Sequence, residues 1–232
     1  MIKDLIDGAR FPFDFKVTGL FNSMFKLKSK LILGGLYLLV VNCFWGTPQL
    51  KKSSEIHLAI KNRNQDKINK YFQFTTHTVL DQQPAIYKNQ LAFISLRDGH
   101  YELWLKLLDE NMTYKLLANS GWQAQPAWSP NGKYLAWVSR QEDVKGDIWV
   151  GKYDSQNKRL KDIRKLTNYK GYDAQPTWSP DGQILAFVSE RGEGQREIWL
   201  KWWKKDKLQQ VTFQGGEAPS WSPDGKQIVF YR

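Results

Sequence analysis

Short runs of apolar residues, separated by turn-forming residues, recur along the C-terminal two thirds of the chain. Three stretches follow one pattern: QPAWSPNGKYLAWVS at 125–139, QPTWSPDGQILAFVS at 175–189 and APSWSPDGKQIVFYR at 218–232. A weaker copy, QPAIYKNQLAFIS, occupies 83–95. The interval between copies is about 45 residues, which is typical of repeat architectures built from one supersecondary unit.

The centre of each full copy predicts a tight turn between two antiparallel strands. Serine at the first position, proline with its fixed φ at the second, Asp or Asn at the third and glycine at the fourth fit a type I turn. The predicted turn residues are Ser129, Pro130, Asn131, Gly132, Ser179, Pro180, Asp181, Gly182, Ser222, Pro223, Asp224 and Gly225. In the following strand ILAFVS both alternating sets are apolar, so that strand is expected to be covered on both faces.

Two further strands follow the turn in each complete unit. The first is YELWL at 101–105, DIWVG at 147–151 or EIWLK at 197–201, and the second is YKLLA at 114–118, IRKLT at 163–167 or QQVTF at 209–213. Four short strands in about 45 residues indicate the blade of a β-propeller. The predicted fold class is therefore all-β, a small or incomplete propeller of about four four-stranded blades.

The repeated W-S-P-[DN]-G motif, followed by an [IL]-W strand and an L-T strand, resembles the TolB-type (WD40-like, PD40) β-propeller repeat. Trp128, Trp178 and Trp221 stand at its aromatic position, and Leu166-Thr167 matches its outer strand. The resemblance covers residues 70–232. It implies a scaffold that contacts other envelope proteins, such as peptidoglycan-associated lipoproteins.

The blades are predicted over about 71–119, 123–167, 173–213 and 217–232, within a repeat region of 71–232. A lone outer strand at about 71–74, three complete blades and two strands in 218–232 make fifteen strands. Such a set closes as a four-bladed ring with strand 71–74 joining the last blade, or stays an open arc whose edges take a partner, or is a truncated propeller. The sequence leaves these alternatives open.

The N-terminal segment resembles a bacterial lipoprotein signal. Lys26, Lys28 and Lys30 precede an apolar run at 31–41, which is short for a membrane span but typical of a signal-peptide core, and Cys43 follows. The resemblance implies a signal peptide at 24–42, lipidation of Cys43 and a tether at 43–70 with one short helix. Residues 1–23 are expected to be a non-native or disordered extension, with Met24 as the true start. Secretion without a lipid, an uncleaved anchor and a buried apolar cysteine are the alternatives.

The amino-acid composition limits which kinds of binding or catalytic site are expected in this chain. The net charge of +11 lies mostly in the N-terminal third, so a nucleic-acid-binding face is not expected. One cysteine and three scattered histidines exclude a disulfide framework and offer no metal-ligand spacing. No metal, cofactor or catalytic residue is predicted. The Asp-Gly turns, and the acids Glu102, Asp147 and Glu197 at matching repeat positions, are interpreted as architecture.

Residues that break the repeat are the candidate partner contacts. These are Trp122, Trp202 and Trp203, because aromatic residues are enriched at binding hot spots; packing between blades is the alternative. The predicted function is a non-catalytic binding or scaffold protein of the periplasm or cell envelope, anchored by its lipid. Self-association through open blade edges is also expected. The alternatives are an envelope hydrolase or lyase that uses the propeller funnel, and a truncated fragment of a larger propeller.

Overall fold

The computed structural model describes residues 26–33, 36–42, 57–61, 68–73, 75, 77–110, 112–118, 121–192 and 194–232. For the strands between residues 26 and 73 only the backbone is described. The described residues form strands, turns and bends. No helix in this part of the chain has the length and apolar character needed to cross a bilayer.

Eighteen strands make up the described structure. They are β1 (Lys26–Leu33), β2 (Leu36–Asn42), β3 (His57–Lys61), β4 (Ile68–Gln73), β5 (Asp81–Tyr87), β6 (Gln90–Ser95), β7 (Glu102–Leu107), β8 (Thr113–Lys115), β9 (Gln123–Trp128), β10 (Tyr134–Ser139), β11 (Asp147–Asp154), β12 (Arg159–Lys165), β13 (Asp173–Trp178), β14 (Ile184–Gly192), β15 (Gln195–Trp202), β16 (Lys207–Gln210), β17 (Glu217–Trp221) and β18 (Ile228–Tyr231).

The strands form five antiparallel sheets in chain order. Blade 1 is β1–β4, blade 2 is β5–β8, blade 3 is β9–β12 and blade 4 is β13–β16; blade 5 contains β17 and β18. The first strands of successive blades, β5, β9, β13 and β17, lie next to one another. The prediction of an all-β fold built from four-stranded blades is therefore confirmed.

The strand count differs from the fifteen predicted. The strand expected at about 71–74 is β4, and it pairs with β3 in blade 1 instead of completing the sheet of β17 and β18. Two further strands, β1 and β2, lie in the segment predicted as a signal peptide, with Leu33 opposite Leu36.

The predicted tether at 43–70 likewise contains a strand. Residues 57–61 form β3, which pairs with β2 and β4, so the short helix expected in the tether is wrong at these positions. The strands do not show whether residues 24–42 are cleaved from a precursor. The signal peptide and the tether therefore stay predictions. Cys43 and residues 1–23 lie outside the described residues.

The second strand of each of blades 2, 3 and 4 is buried on both faces. The runs 91–94, 135–138 and 185–188 are all between 0% and 3% exposed. Burying one such aliphatic or aromatic side chain contributes about 1.5–3 kcal/mol, so these strands form the centre of each blade's core. Adjacent blades supply the covering surfaces, as where Trp221 and Phe230 pack against Ala186 and Val188.

The repeated turn is held by its own side chains. In blade 4 the Gly182 N–H donates to the Ser179 carbonyl at 2.9 Å, and Gly182 has a φ of +69°. The Ser179 hydroxyl donates to Asp181, whose carboxylate also accepts the Gln183 N–H at 3.0 Å. The hydrogen bond from Ser179 holds the pKa of Asp181 below its usual value. In blade 3, Asn131 accepts the same two hydrogen bonds through its amide oxygen.

This turn predicts different results for two substitutions of Asp181. Asp181→Ala removes the acceptor and should lower the free energy of unfolding by about 1–2 kcal/mol. Asp181→Asn should cost less than about 0.5 kcal/mol, because Asn131 serves in blade 3. Since folding lowers the pKa of Asp181 from 3.8, its contribution is full above that value and is lost as the pH falls through the folded pKa.

Urea denaturation of the three proteins at pH 7 and pH 3 measures both effects. Equal losses for the Asn and Ala variants at pH 7 would show that the hydrogen bonds to residue 181 do not stabilise the turn.

Candidate functional site

A row of glutamine side chains links the inner strands of blades 2 to 5. The side-chain oxygens of Gln83, Gln125 and Gln175 accept the backbone N–H of Gln125, Gln175 and Ala218, at 2.6, 2.6 and 2.5 Å. All four donor and acceptor residues have φ between +51° and +56°.

Each of these residues stands before a proline, at a shift in strand register. The left-handed backbone costs a non-glycine residue about 1–2 kcal/mol, which the hydrogen bond to the neighbouring blade helps to offset. The side-chain amide oxygens of these glutamines therefore join neighbouring blades. The sequence signal was the recurrent Gln-Pro, which becomes Ala-Pro in blade 5.

Buried polar residues form a second row, at the end of each blade where the first strand begins. In blade 2, Asp81 pairs in register with Ser95, and Ser95 with Glu102. The corresponding triplets are Gln123, Ser139 and Asp147 in blade 3, and Asp173, Ser189 and Glu197 in blade 4. All nine residues are at most 5% exposed.

The acids that begin the third strands are bound by residues in the outer strands beside them or, in blade 4, just after the outer strand. Lys115 pairs with Glu102 at 2.6 Å, and Lys165 with Asp147 at 2.8 Å. In blade 4 the Thr212 hydroxyl donates to Glu197. The architectural interpretation of these three acids from their matching positions is consistent with this geometry. Among the described residues there is no group of three or more His, Cys, Asp or Glu side chains placed to hold a metal ion.

The acids that begin the first strands are paired with arginines that sequence reasoning missed. The Arg97 guanidinium donates to Asp81 at 3.1 Å, and that of Arg191 donates to Asp173 at 2.5 Å. Each arginine also donates to the serine two residues before it. The available signal was Ser-x-Arg after the apolar strand, in 95–97 and 189–191.

Among these carboxyls, Asp173 has a pKa that is raised above its ordinary value. Burial raises the pKa of Asp173 although Arg191 opposes the shift, and the nearby Asp147 raises it further. A raised folded pKa means that the contribution of this group to stability decreases as the pH rises from the unfolded to the folded value. Asp173 Oδ1 accepts no hydrogen bond from the described residues. The unfavourable free energy at this position arises from the burial of a charged carboxylate.

The three candidate contact tryptophans lie in different environments. Trp203 is 8% exposed, donates its indole N–H to the Gly182 carbonyl at 2.9 Å and packs edge-on against Trp178 and Tyr134. Trp203 therefore packs between blades 3 and 4, as the alternative interpretation of this residue predicted. Its side chain is not available to a partner. Trp203 and Trp122 belong to different apolar clusters, with Trp203 beside Trp178 and Trp122 beside Ala124 and Val138.

Trp122 and Trp202 are half-buried and each lies under a cation. The Arg140 guanidinium is 3.9 Å from the Trp122 ring centroid, and the Lys207 ammonium is 4.0 Å from that of Trp202. Moving the flexible cation away would expose the aromatic face at a small cost in free energy, since cation–π pairs at solvent-accessible sites are worth about 0.5–1 kcal/mol. These two residues remain candidate contacts.

An exposed apolar groove lies where blades 4 and 5 meet, and sequence reasoning did not find it. Its volume is about 300 Å³, and it is lined by Val211, Thr212, Phe213, Gln214, Phe230 and Arg232. Phe213 is 73% exposed, and Val229 on the neighbouring strand is 58% exposed. Phe213 and Phe230 supply the aromatic part of this lining, and Val229 lies on the opposite face of β18 from Phe230.

The repeat itself predicts how the Asp173–Arg191 pair responds to substitution. Blade 3 carries the neutral residues Gln123 and Gln141 at these positions, and Gln123 donates a hydrogen bond to Ser139. Asp173→Asn alone leaves the arginine without its counter-ion and should lower the free energy of unfolding by about 2–4 kcal/mol. Adding Arg191→Gln should recover at least about 1 kcal/mol, because no unpaired charge then remains and both residues are neutral, as in blade 3.

A double-mutant cycle by chemical denaturation measures this coupling. Strictly additive losses for the two substitutions would contradict the pairing. Gln141→Ala in blade 3 is the matched control, since no charge is left unpaired there.

Comparison with known proteins finds relatives of this repeat. Residues 51–232 match the protein family described as TolB beta propeller domain. A stretch of 56 residues is 36% identical to the Tol-Pal system protein TolB of Desulfosudis oleivorans, and it covers 24% of this chain and 13% of that relative. The chain therefore matches only a small part of the length of this curated relative.

Solved structures share the arrangement of blades. TolB from Acinetobacter baumannii superposes with a TM-score of 0.70 at 19% identity, over 85% of this chain and 47% of that chain. A putative TolB from Agrobacterium tumefaciens gives a TM-score of 0.65 at 22% identity, over 83% and 65%. A puromycin-hydrolyzing peptidase from Mycobacterium tuberculosis gives 0.57 at 12% identity, over 89% and 43%.

At these identities the structural likeness shows the fold alone, and the chain spans less than two thirds of either TolB structure. The family match is the stronger finding, because it covers most of the chain and contains the repeats with the Ser-Pro-[Asp/Asn]-Gly turn. The resemblance predicted from these repeats is thus confirmed, and the chain belongs to the TolB β-propeller domain family.

Proposed function

We propose that this chain is a non-catalytic protein-interaction scaffold of the bacterial cell envelope. Membership of the TolB β-propeller family and the relative named as a Tol-Pal system protein support this proposal. Proteins of the envelope are the proposed partners. Trp122, Trp202 and open blade edges are the proposed contact surfaces, and self-association uses the same edges.

The observation that carries the non-catalytic proposal is the engagement of the buried polar residues. The glutamines join blades, and the acids of blades 2 to 4 are bound by Arg, Lys or Thr at corresponding repeat positions. General acid–base catalysis needs a carboxyl placed within reach of a substrate proton and free to exchange it. Groups committed to repeated structural bonds suit a rigid scaffold better.

An envelope hydrolase or lyase is the competing proposal, and a fragment of a larger propeller is a third. The peptidase of Mycobacterium tuberculosis shares the fold, and one fold hosts many unrelated activities. These alternatives predict, respectively, turnover of a sugar or peptide substrate, and aggregation when the 232-residue chain is produced alone.

Binding to a peptidoglycan-associated lipoprotein tests the scaffold proposal. Titration calorimetry of the purified chain with the periplasmic part of that lipoprotein should give saturable binding. Trp122→Ala or Trp202→Ala should weaken it about fivefold or more, since a hot-spot residue contributes at least about 1 kcal/mol. Val144→Ser, at an 83% exposed residue outside the proposed contacts, is the control and should leave the affinity unchanged.

Thermal unfolding separates contact from packing in the same variants. Trp203→Ala should lower the melting temperature by about 6–20 °C, because removing a buried tryptophan costs about 3–5 kcal/mol. No binding by a folded wild-type chain would contradict this partner class, and turnover of glycan or peptide substrates would favour the enzyme.

The proposed location in the cell envelope rests on the N-terminal sequence pattern that ends at Cys43. We expect the membrane-extracted protein to begin at Cys43 and to carry two or three acyl chains, which intact-mass spectrometry would detect. Cys43→Ser should abolish both the acyl mass and the membrane association. An unmodified protein beginning at Met1 would contradict the lipid anchor.

A further inference from the structure

The repeated turn of blade 3 carries the dipeptide Asn131-Gly132, whereas the turns of blades 4 and 5 carry Asp-Gly. Asparagine followed by glycine is the dipeptide most prone to deamidation. The backbone nitrogen of the second residue attacks the side-chain amide carbon of the first, and glycine has no side chain to obstruct that approach. Asn131 and the nearby Lys133 are exposed, so water reaches the turn. Blade 3 therefore contains a reactive pair that the turns of blades 4 and 5 lack.

The fold requires the glycine of this pair. Gly132 has a φ of +67°, which residues with a side chain rarely adopt. A side chain at position 132 would also overlap the ring of Tyr87 in blade 2, which packs against this turn. The corresponding glycines of blades 4 and 5, Gly182 and Gly225, have φ of +69° and +71°. Residue 131 is therefore the member of the pair that the turn leaves free to vary.

The closed turn holds the two reacting groups apart. The Gly132 N–H donates to the Ser129 carbonyl at 2.9 Å. The Asn131 side-chain oxygen accepts the Ser129 hydroxyl and the Lys133 N–H, both at 2.9 Å. A type I turn also keeps the ψ of its third residue at about 0°, which turns the following nitrogen away from that residue's side chain. Attack of the Gly132 nitrogen on the Asn131 side chain therefore requires the turn to open.

The reaction leaves an acid at position 131. In the open turn the Gly132 nitrogen bonds to Cγ of Asn131, and its proton leaves with the amide nitrogen as ammonia, so that a cyclic succinimide forms. Water then opens this ring. Addition of water at Cγ gives aspartate, and addition at the backbone carbonyl carbon of residue 131 gives isoaspartate. One water molecule is consumed and one ammonia is released, and no oxidant or other reactant is needed.

Blades 4 and 5 show that aspartate fits the closed turn. In these blades Asp181 and Asp224 each accept the serine hydroxyl and the N–H two residues further on, which are the two hydrogen bonds that Asn131 accepts in blade 3. A carboxylate makes such bonds stronger than an amide oxygen does. Isoaspartate lengthens the main chain by one carbon, which displaces Gly132 from the Ser129 carbonyl.

We propose that Asn131 is a modification site, where spontaneous deamidation occurs when the turn of blade 3 opens and yields an aspartate that re-forms the turn of blades 4 and 5. The folded protein then exists in two forms that differ by one negative charge at blade 3. The isoaspartate product cannot close the turn in this way. This inference goes beyond the scaffold function and does not depend on it, because it stands on the geometry of one turn.

Peptide mapping measures the conversion. The 232-residue chain is incubated at pH 8.5, folded in buffer or unfolded in guanidinium chloride, and mass-spectrometric fragmentation of the tryptic peptide 116–133 quantifies aspartate and isoaspartate at residue 131. Hydrogen–deuterium exchange of the Gly132 N–H gives the fraction of molecules in which the turn is open. The rate in the folded chain should equal this fraction multiplied by the unfolded rate, and should be at least about tenfold slower than the unfolded rate. Equal rates in the two states would overturn the proposal.

Two serine variants test the opening step. Ser129→Ala removes the hydroxyl that bonds to Asn131 and to the Tyr134 N–H, so it should speed the conversion about fivefold, the effect of one hydrogen bond. Ser179→Ala removes the same bonds in blade 4 and should leave the rate at residue 131 unchanged. Equal acceleration by both variants, or no conversion in the Ser129→Ala chain, would overturn the local opening. If Ser129→Ala prevents folding, the relation between open fraction and rate in the wild-type chain decides.

The fit of the product is tested by Asn131→Asp. Its melting temperature at pH 7 should lie within about 2 °C of that of the wild type, because aspartate accepts the same two hydrogen bonds in blade 4. Asn131→Ala accepts neither bond and should melt about 2–8 °C lower. Equal losses for the two variants would show that aspartate does not re-form the turn and would overturn the proposed product.

Discussion

The fold depends on strands that are apolar on both faces. If either face of a strand such as β10 or β14 is left in water, two of its four consecutive buried apolar residues become exposed, so each of blades 2 to 4 needs a neighbour on both sides. The tryptophan of the repeated turn meets the same need. The Trp178 indole N–H donates to the Ala127 carbonyl of the preceding blade at 3.0 Å, so the residue supplies both apolar area and a directed contact.

This constraint explains how the polar residues are used. Side chains at blade junctions are desolvated, and a desolvated amide or carboxylate must find a partner. The glutamines before the prolines find theirs in the next blade, and the acids find theirs in arginine, lysine or threonine of the same blade. Blade 3 shows that the charge itself is dispensable, since Gln123 bonds to Ser139 where other blades have ion pairs. The repeat thus accepts either a charged or a neutral residue at the start of the first strand.

Blade 5 shows the consequence when the constraint is only half met. Ile228 and Phe230 pack on blade 4, whereas Val229 and Tyr231 on the opposite face are exposed. The same chemistry that forms a core in the other blades forms an accessible apolar surface here.

The sequence alone determined the repeat, its turn and the two-faced strands, because these depend on local pattern: proline and glycine at fixed offsets and apolar residues at every position of a short run. It also indicated that Glu102, Asp147 and Glu197 are architectural. Tertiary structure decided what depends on contacts between distant residues. The pairing of β4 with β3, the Arg191–Asp173 pair, the burial of Trp203 and the groove at Phe213 and Phe230 depend on contacts between separate segments of the chain. No local pattern encodes such contacts, since the partner of each group is selected only when the blades pack.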